Sequence, residues 1–594
     1  MMREYLQGLY DAEPFSIDAV QDRKSWSDWR QKTRQALLEV LGLEPRPPRT
    51  PLKPRIVGAI DRGDFVIEKV VLETRPNFLM TGNLYRPKQL TGKAPAVLSV
   101  HGHTIKGKAW DANQIRAANY ALSGWLALVV DATGHGERVH IGHRGTFAII
   151  TTGITLEGVQ VWDNIRCVDY LRSLPEVDEE RIAITGCSGG GNQTMYTAAV
   201  DERIAVAAPV CSVSTLRGQI FTSNGIGCQC ECIPNLMRHG LENAAVCALI
   251  APRPLLVVAG TKDETFPIQY TREADRHLRR FFEAIGHGDR YKYVERAAPH
   301  GYPRSMRQIT HAWFDRWFNR RKSEQRYHER GPKPLPTKEL WCFPNGRLPA
   351  DSATLGALAE ATGKELSGRI KVPNSDAARS KLRNAIRDDV LGGFPERGPL
   401  KPIEEKSNRR AGITRQQVAL TSEPGITISA TIHRPAAAEG AIPCVVRVRE
   451  RPSNRRWPKA KQFLDQGRVV VELDTRPLGD DEHVSRAALV YGRPLVGMGA
   501  WDIIRLIDYL QTRQEISKDA ISLWAEGPTA LPALFALALD ERIQGGALGG
   551  LPATYVSHQP LKQPTWTFAH GLLRYADIKH LKELVAPRRI TELP

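Results

Sequence analysis

Three residues in the first half of the chain have the types and spacing for nucleophilic acyl transfer: Ser188, Asp263 and His300. Ser188 lies in Gly186-Cys187-Ser188-Gly189-Gly190, a G-x-S-x-G pentapeptide entered from the apolar run Ile182-Ala183-Ile184. A strand that hands over to a helix through such a turn holds a serine hydroxyl clear of the sheet edge. The turn is tight enough that positions two before and two after the serine leave no room for a Cβ, which accounts for the glycines. The next N–H, that of Gly189, is then available to an oxyanion. Asp263 follows the apolar run Pro254 to Ala259, where an acid can orient a histidine, with Glu264 as the neighbouring alternative. His300-Gly301 follows a last strand-like run, Tyr291 to Val294, and is placed to reach the serine. His311, inside the closing helical stretch, is expected to be structural. A second oxyanion donor is expected where Ala96 to Val100 runs into His101-Gly102-His103. The backbone N–H of His103 is the candidate, with Thr104 the alternative.

The elements around these residues alternate. Strand patterns at Phe65 to Leu72, Phe78 to Tyr85, Ala96 to Val100, Leu126 to Val130, Ile182 to Ile184, Ile204 to Val210, Pro254 to Ala259 and Tyr291 to Val294 are separated by helical runs such as Asn113 to Leu122 and Trp162 to Leu171. That alternation implies an α/β fold, a mostly parallel sheet with helices on both faces. Such sheets carry their sites at the carboxyl ends of the strands, so Ser188, His103 and the loop Gly134 to Arg138 would share one rim. Trp26 to Leu43 reads as a helix stopped by the proline-rich Pro45 to Pro54. Residues 1–50 are therefore expected to form an N-terminal helical cap, 51–325 the catalytic domain and 326–345 a linker.

Residues 346–594 repeat part of what precedes them. Trp162-Asp163-Asn164-Ile165-Arg166 returns as Trp501-Asp502-Ile503-Ile504-Arg505, and Asp201-Glu202-Arg203-Ile204 returns as Asp540-Glu541-Arg542-Ile543. Both pairs of words are 39 residues apart. In this register Ser188 becomes Gly527, and Gly189 becomes Pro528, which has no N–H to offer an oxyanion. His433-Arg434-Pro435 matches Tyr85-Arg86-Pro87, so Arg449-Glu450-Arg451 stand where His101-Gly102-His103 stood. Ala586-Pro587-Arg588 resembles Ala251-Pro252-Arg253, and no counterpart of Asp263 or His300 follows before Pro594. This second half is expected to be a degenerate, C-terminally truncated copy without a triad, a candidate surface for stability, substrate docking or self-association.

Composition narrows the class of partner. The net charge of +17 comes from scattered Lys and Arg, without the aromatic–basic ladder of a nucleic-acid surface. Neither nucleic acid nor a membrane is expected as a partner: no run of ~18 apolar residues occurs. Met1 to Phe15 is charged and has no apolar core, so a cytoplasmic location is expected. Cys228, Cys230 and Cys232 form C-x-C-x-C rather than the C-x2-C pairing of a zinc site. Alternation along an extended segment would put the three thiols on one side, as packed, reduced groups near the site. No metal or organic cofactor is expected.

The first half resembles the α/β-hydrolase superfamily, and within it bacterial esterases of the acetyl xylan esterase-like and dienelactone hydrolase-like kind. The resemblance rests on the His101-Gly102-His103 turn, Gly134-His135-Gly136-Glu137-Arg138, the Ser188 elbow, Ala251 to Leu256, Asp263 with Phe266-Pro267, and His300-Gly301. It spans roughly residues 30–320 and implies a serine carboxylic-ester hydrolase acting on short-acyl esters such as acetylated carbohydrate. Gly189 stands where glucuronoyl esterases typically carry arginine, which argues against uronate esters. A serine peptidase or amidase of the same fold, and a non-enzymatic polyanion-binding scaffold, are the competing readings.

Overall fold

The computed structural model describes residues 2–143, 147–221, 227–449, 457–478, 481–557 and 562–593. The chain divides into two compact units. One holds Asp11–Ile149 and Ile154–Leu358; the other holds Ala359–Pro594 together with Met1–Tyr10 and Ile150–Gly153.

The first unit is built on a nine-stranded sheet of β1 (Arg55–Asp61), β2 (Phe65–Arg75), β3 (Phe78–Pro87), β4 (Ala94–Ser99), β5 (Leu126–Val130), β6 (Val177–Cys187), β7 (Val206–Val210), β8 (Leu255–Lys262) and β9 (Tyr291–Pro299). The order is β1-β2-β3-β5-β4-β6-β7-β8-β9. β1, β2 and β3 join antiparallel, β3 meets β5 antiparallel, and every later pairing is parallel. The central strands explain the parallel arrangement. Ala94–Ser99 and Leu126–Val130 are buried at every position, a continuous apolar run that only a sheet covered on both faces can hide. The cover comes from helices Arg23–Leu41, Asp111–Leu122, Leu156–Ser173, Gly189–Val200, Ile268–Ala284 and Arg304–Phe318. Each expected strand and helix of this half falls on an observed one, and the fold is that of an α/β-hydrolase.

Two expected boundaries move. The N-terminal stretch does not form one cap. Helix Met2–Ala12 buries Met2, Leu6 and Tyr10, a stripe at i, i+4 and i+8, within the second unit, where Tyr10 donates to the carbonyl of Ala487 at 3.1 Å. Helix Arg23–Leu41 instead serves the first unit, with Arg34 donating to the carbonyl of Val200 at 2.9 Å. Residues 326–345 are not a free linker either. Asn119 and Gln114 hydrogen-bond the backbone of Arg330 and Leu335, and Glu137 accepts the N–H groups of Cys342 and Phe343 at 2.9 and 2.8 Å. The segment carries partners for buried polar groups of the first unit, so it belongs to that unit, which ends at Leu358.

The second unit carries its own sheet: β10 (Ile403–Glu404), β11 (Asn408–Arg410), β12 (Ile413–Glu423), β13 (Ile426–Pro435), β14 (Ile442–Arg449), β15 (Val469–Asp474), β16 (Ile516–Glu526), β17 (Gly545–Gly549) and β18 (Arg589–Leu593). Its order, β10-β12-β13-β15-β14-β16-β17-β18 with β11 paired to β12, repeats the first sheet from β1 to β8. Internal bonds repeat as well. Trp162 donates to the carbonyl of Thr74, and Trp501 to that of Ser422. Arg253 donates to the carbonyls of Asp201 and Ile204, and Arg588 to those of Asp540 and Ile543. Arg449 closes β14 with an ion pair to Asp474 at 2.6 Å; Glu450 and Arg451 lie outside the described residues.

Candidate active site

Ser188 takes φ 61° and ψ −129° between the end of β6 and helix Gly189–Val200. This is a positive-φ conformation that a residue with a side chain adopts only when its surroundings impose it. The surroundings are close. A Cβ on Gly186 would lie 2.5 Å from the carbonyl oxygen of Gly190, and one on Gly190 would lie 2.7 Å from Cα of His101. The glycines two before and two after the serine are thus required by contact with neighbouring backbone. The serine N–H is anchored on the carbonyl of Val210 at 3.0 Å.

The turn after β4 comes against this elbow. A Cβ on Gly102 would meet the nitrogen of Gly189 at 2.8 Å and Cβ of Ser188 at 3.1 Å. His101 fixes the turn: its Nδ1 is 2.8 Å from the carbonyl of Gly102 and its Nε2 is 3.2 Å from the N–H of Ala132. Since a carbonyl only accepts and an N–H only donates, Nδ1 carries the proton. His103 follows immediately, so its backbone and that of Gly189 belong to one rim.

Asp263 stands one residue beyond β8, and His300 one residue beyond β9. His300 Nδ1 lies 2.9 Å from Oδ2 of Asp263, while Oδ1 accepts the N–H groups of Thr265 and Phe266, each at 2.9 Å. Both oxygens of this buried carboxylate are therefore committed, and Glu264, the alternative acid, is exposed. Burial opposes the charged form of His300, but the hydrogen bond and charge of Asp263 outweigh it and raise the imidazole above its ordinary 6.5. Phe266 stacks on the ring with centroids 5.8 Å apart.

Ser188, His300, His103 and Gly102 line one cavity of about 620 Å³, together with Trp110, Gln219, Cys228, Glu231 and Thr265. Cys187, beside the serine, is not a rival nucleophile. The hydrogen bond its S–H gives to Cys211, and then burial, push its thiol well above the usual cysteine value. His311 is buried away from this rim, stacked on Tyr327 with centroids 3.4 Å apart and hydrogen-bonded to Ser123, as its helical position implied. Burial lowers its pKa to about 3.

The Gly134 to Arg138 loop supports the rim through buried charge. Arg138 bonds Asp163 at 2.8 Å and the carbonyl of Asp131 at 3.0 Å, and Lys108 joins Asp131 and Glu137. Sequence reasoning missed His143, Cys211 and Trp110. His143 sits in a loop with no periodicity to mark it. Cys211 stands one residue beyond β7, and its Sγ comes within 4.8 Å of the ligand atoms of Asp263 and His300, a proximity only the folded sheet creates. The C-x-C-x-C stretch is not extended. Bonds from Glu231 N–H to Cys228 and from Cys232 N–H to Gln229 wind it into turns, so the three thiols do not share a side.

A family profile described as acetyl xylan esterase (AXE1) matches residues 69–216, and one described as the prolyl oligopeptidase family matches residues 155–321. Together these define an α/β-hydrolase, a carboxylic ester hydrolase by its esterase match. Among individual proteins, YtaP of Bacillus subtilis (strain 168) is 26% identical over 303 residues, covering 48% of this chain and 99% of its own. Acetyl esterase Axe7A of Xylanibacter ruminicola is 31% identical over 139 residues, covering 21% of this chain and 30% of its own. Among solved structures, Methylesterase BT1017 superposes with a TM-score of 0.47 at 22% identity, covering 64% of this chain and 80% of that one.

Proposed function

We propose that the first unit hydrolyses short-acyl esters of carbohydrate through Ser188, His300 and Asp263. The observation that carries this reading is the 2.9 Å bond from His300 to Asp263 in the cavity that Ser188 lines. His300 Nε2 takes the Ser188 proton as Oγ attacks the ester carbonyl carbon. The oxyanion that forms is held by the N–H groups of Gly189 and His103, each worth roughly 3–4 kcal/mol in comparable sites. The protonated imidazole, steadied by Asp263, then gives its proton to the departing sugar alkoxide. Water attacks the acyl-enzyme with the same imidazole as base, releasing the acid and restoring Ser188.

The cavity wall supports a sugar as the alcohol. Gln219, Glu231, Thr104 and Thr265 offer hydrogen bonds to hydroxyl groups, and Trp110 offers a flat apolar face. The second unit, with Gly527 and Pro528 at the elbow, is read as a hydrolase-like copy without chemistry of its own.

The test is hydrolysis of p-nitrophenyl acetate through octanoate, and of acetylated xylose, by wild type and Ser188→Ala. The expected result is preference for acetate and a loss of at least about 10⁴-fold in kcat on substitution. Undiminished hydrolysis by Ser188→Ala would overturn the assignment.

A further inference from the structure

At the wall of the cavity, which His103 and Cys228 line, four side chains from three separate segments converge: His103, His143, Cys228 and Cys230. Their Nε2 and Sγ atoms all lie within 4.8 Å of one another. His143 Nε2 is 2.8 Å from Cys228 Sγ and 3.2 Å from His103 Nε2, and His103 Nε2 is 3.3 Å from Cys230 Sγ. We propose that these four side chains form a zinc site, with two imidazole nitrogens and two thiolates as ligands.

Three observations carry the proposal. The first is size. Ligands about 2.0–2.1 Å (nitrogen) and 2.3 Å (sulfur) from a tetrahedral zinc stand about 3.3–3.8 Å from one another. The close pairs, at 2.8, 3.2 and 3.3 Å, and the upper bound of 4.8 Å on every pair bracket that scale.

The second is the chemistry of the donors. His143 Nδ1 is 2.8 Å from the carbonyl of Thr133. That oxygen can only accept, so Nδ1 holds the proton and Nε2 turns its lone pair into the cluster. A ligand imidazole tied by its other nitrogen to a backbone carbonyl is how proteins orient histidine toward a metal. Two soft thiolates with two imidazoles in a four-fold cluster suit zinc above hard cations.

The third is charge. His143, Cys228 and Cys230 are 9%, 5% and 4% exposed. On binding, each thiol releases one proton to solvent, and two thiolates cancel the dication, so the filled site is neutral where an uncompensated charge would be costly.

With four protein ligands the site has no open position for water, so its work is structural. It ties the turn that carries His103 to the His143 loop and to the Cys228–Cys230 segment, all on one side of the cavity. The sequence conceals it because C-x-C is not a standard pairing and the histidines lie 40 residues apart. The proposal stands apart from the esterase reading, since metal content is measured without any substrate.

The experiment is metal analysis of the full chain purified without chelator, and optical spectroscopy after stripping and loading with Co²⁺. About one zinc per chain is expected, with intense tetrahedral cobalt bands and a thiolate-to-cobalt charge-transfer band. Cys228→Ser/Cys230→Ser should lose at least about ten-fold in zinc occupancy, whereas Cys232→Ser and His300→Ala should keep it. Wild type that holds less than about 0.1 zinc per chain after loading and gives no charge-transfer band overturns the proposal. So does a full zinc equivalent retained by the double serine variant, which would put the metal elsewhere. The cobalt spectrum of wild type decides the matter even where the double variant does not fold.

Discussion

Ser188 and Gly527 both take a positive φ, 61° and 65°, at the same place in the two sheets. The second unit thus has a positive-φ residue after β16, at the place of Ser188, but one without a hydroxyl. A residue with a side chain accepts this conformation when its hydroxyl is needed; without that need glycine adopts it at no steric cost. Pro528 then removes the N–H that Gly189 supplies. Gly527→Ser placed in the Ser188→Ala chain should restore no ester hydrolysis. Recovery of turnover in that double variant would show the second unit to be a latent active site.

The raised pKa of His300 fixes the direction of the pH profile. In the proposed mechanism its neutral form is the base, so kcat/KM should rise with pH through a value above the ordinary histidine 6.5. Asp263→Asn removes the group that raises it. The acid limb should move to lower pH, while kcat falls by about 10⁴-fold because the ring is no longer held in the correct tautomer. A profile that stays in place on substitution would mean that another group sets the limb.

Gly102 is where the oxyanion side of the site is most exposed to a single methyl group. Gly102→Ala would bring a carbon to 2.8 Å from the nitrogen of Gly189, and backbone on one side must yield. Displacing one oxyanion donor costs about 10²–10³-fold in kcat. We expect a loss of that size with KM for p-nitrophenyl acetate little changed. A rise in KM alone would place the turn in substrate binding.

The second unit holds Arg476 fully buried against Asp502 at 2.6 Å and beside Glu423. Arg476→Ala leaves Asp502 buried without its cation, while Glu423 keeps its ion pair with Arg493; the expected loss is about 3–5 kcal/mol. Urea denaturation of the variant should show the transition of this unit at much lower denaturant. A shift within error of wild type would mean that water reaches Asp502.

Much of this was legible because the signals were local or periodic. The Ser188 elbow, the buried runs of β4 and β5, and the strand-end placing of Asp263 and His300 each follow from a few adjacent residues. The 39-residue spacing shared by Trp162 with Asp201 and Trp501 with Asp540 made the repeat visible, and the second sheet repeats the strand order of the first. What escaped depended on tertiary partners. Residues 326–345 read as a linker by composition, yet Cys342 and Phe343 supply the N–H groups that the buried Glu137 accepts. Helix Met2–Ala12 gave no sign of which unit would bury its apolar stripe. The turns at Cys228–Cys232 broke the alternation expected of three evenly spaced cysteines, and only the fold brings two of them to His103 and His143.

The most direct test of the central claim is to treat the full chain with a fluorophosphonate and locate the adduct by intact and peptide mass. One phosphonyl group on Ser188, formed with loss of ester hydrolysis and absent from both Ser188→Ala and His300→Ala, is the expected result. An adduct on another residue, or full hydrolysis by a chain already labelled at Ser188, would contradict it.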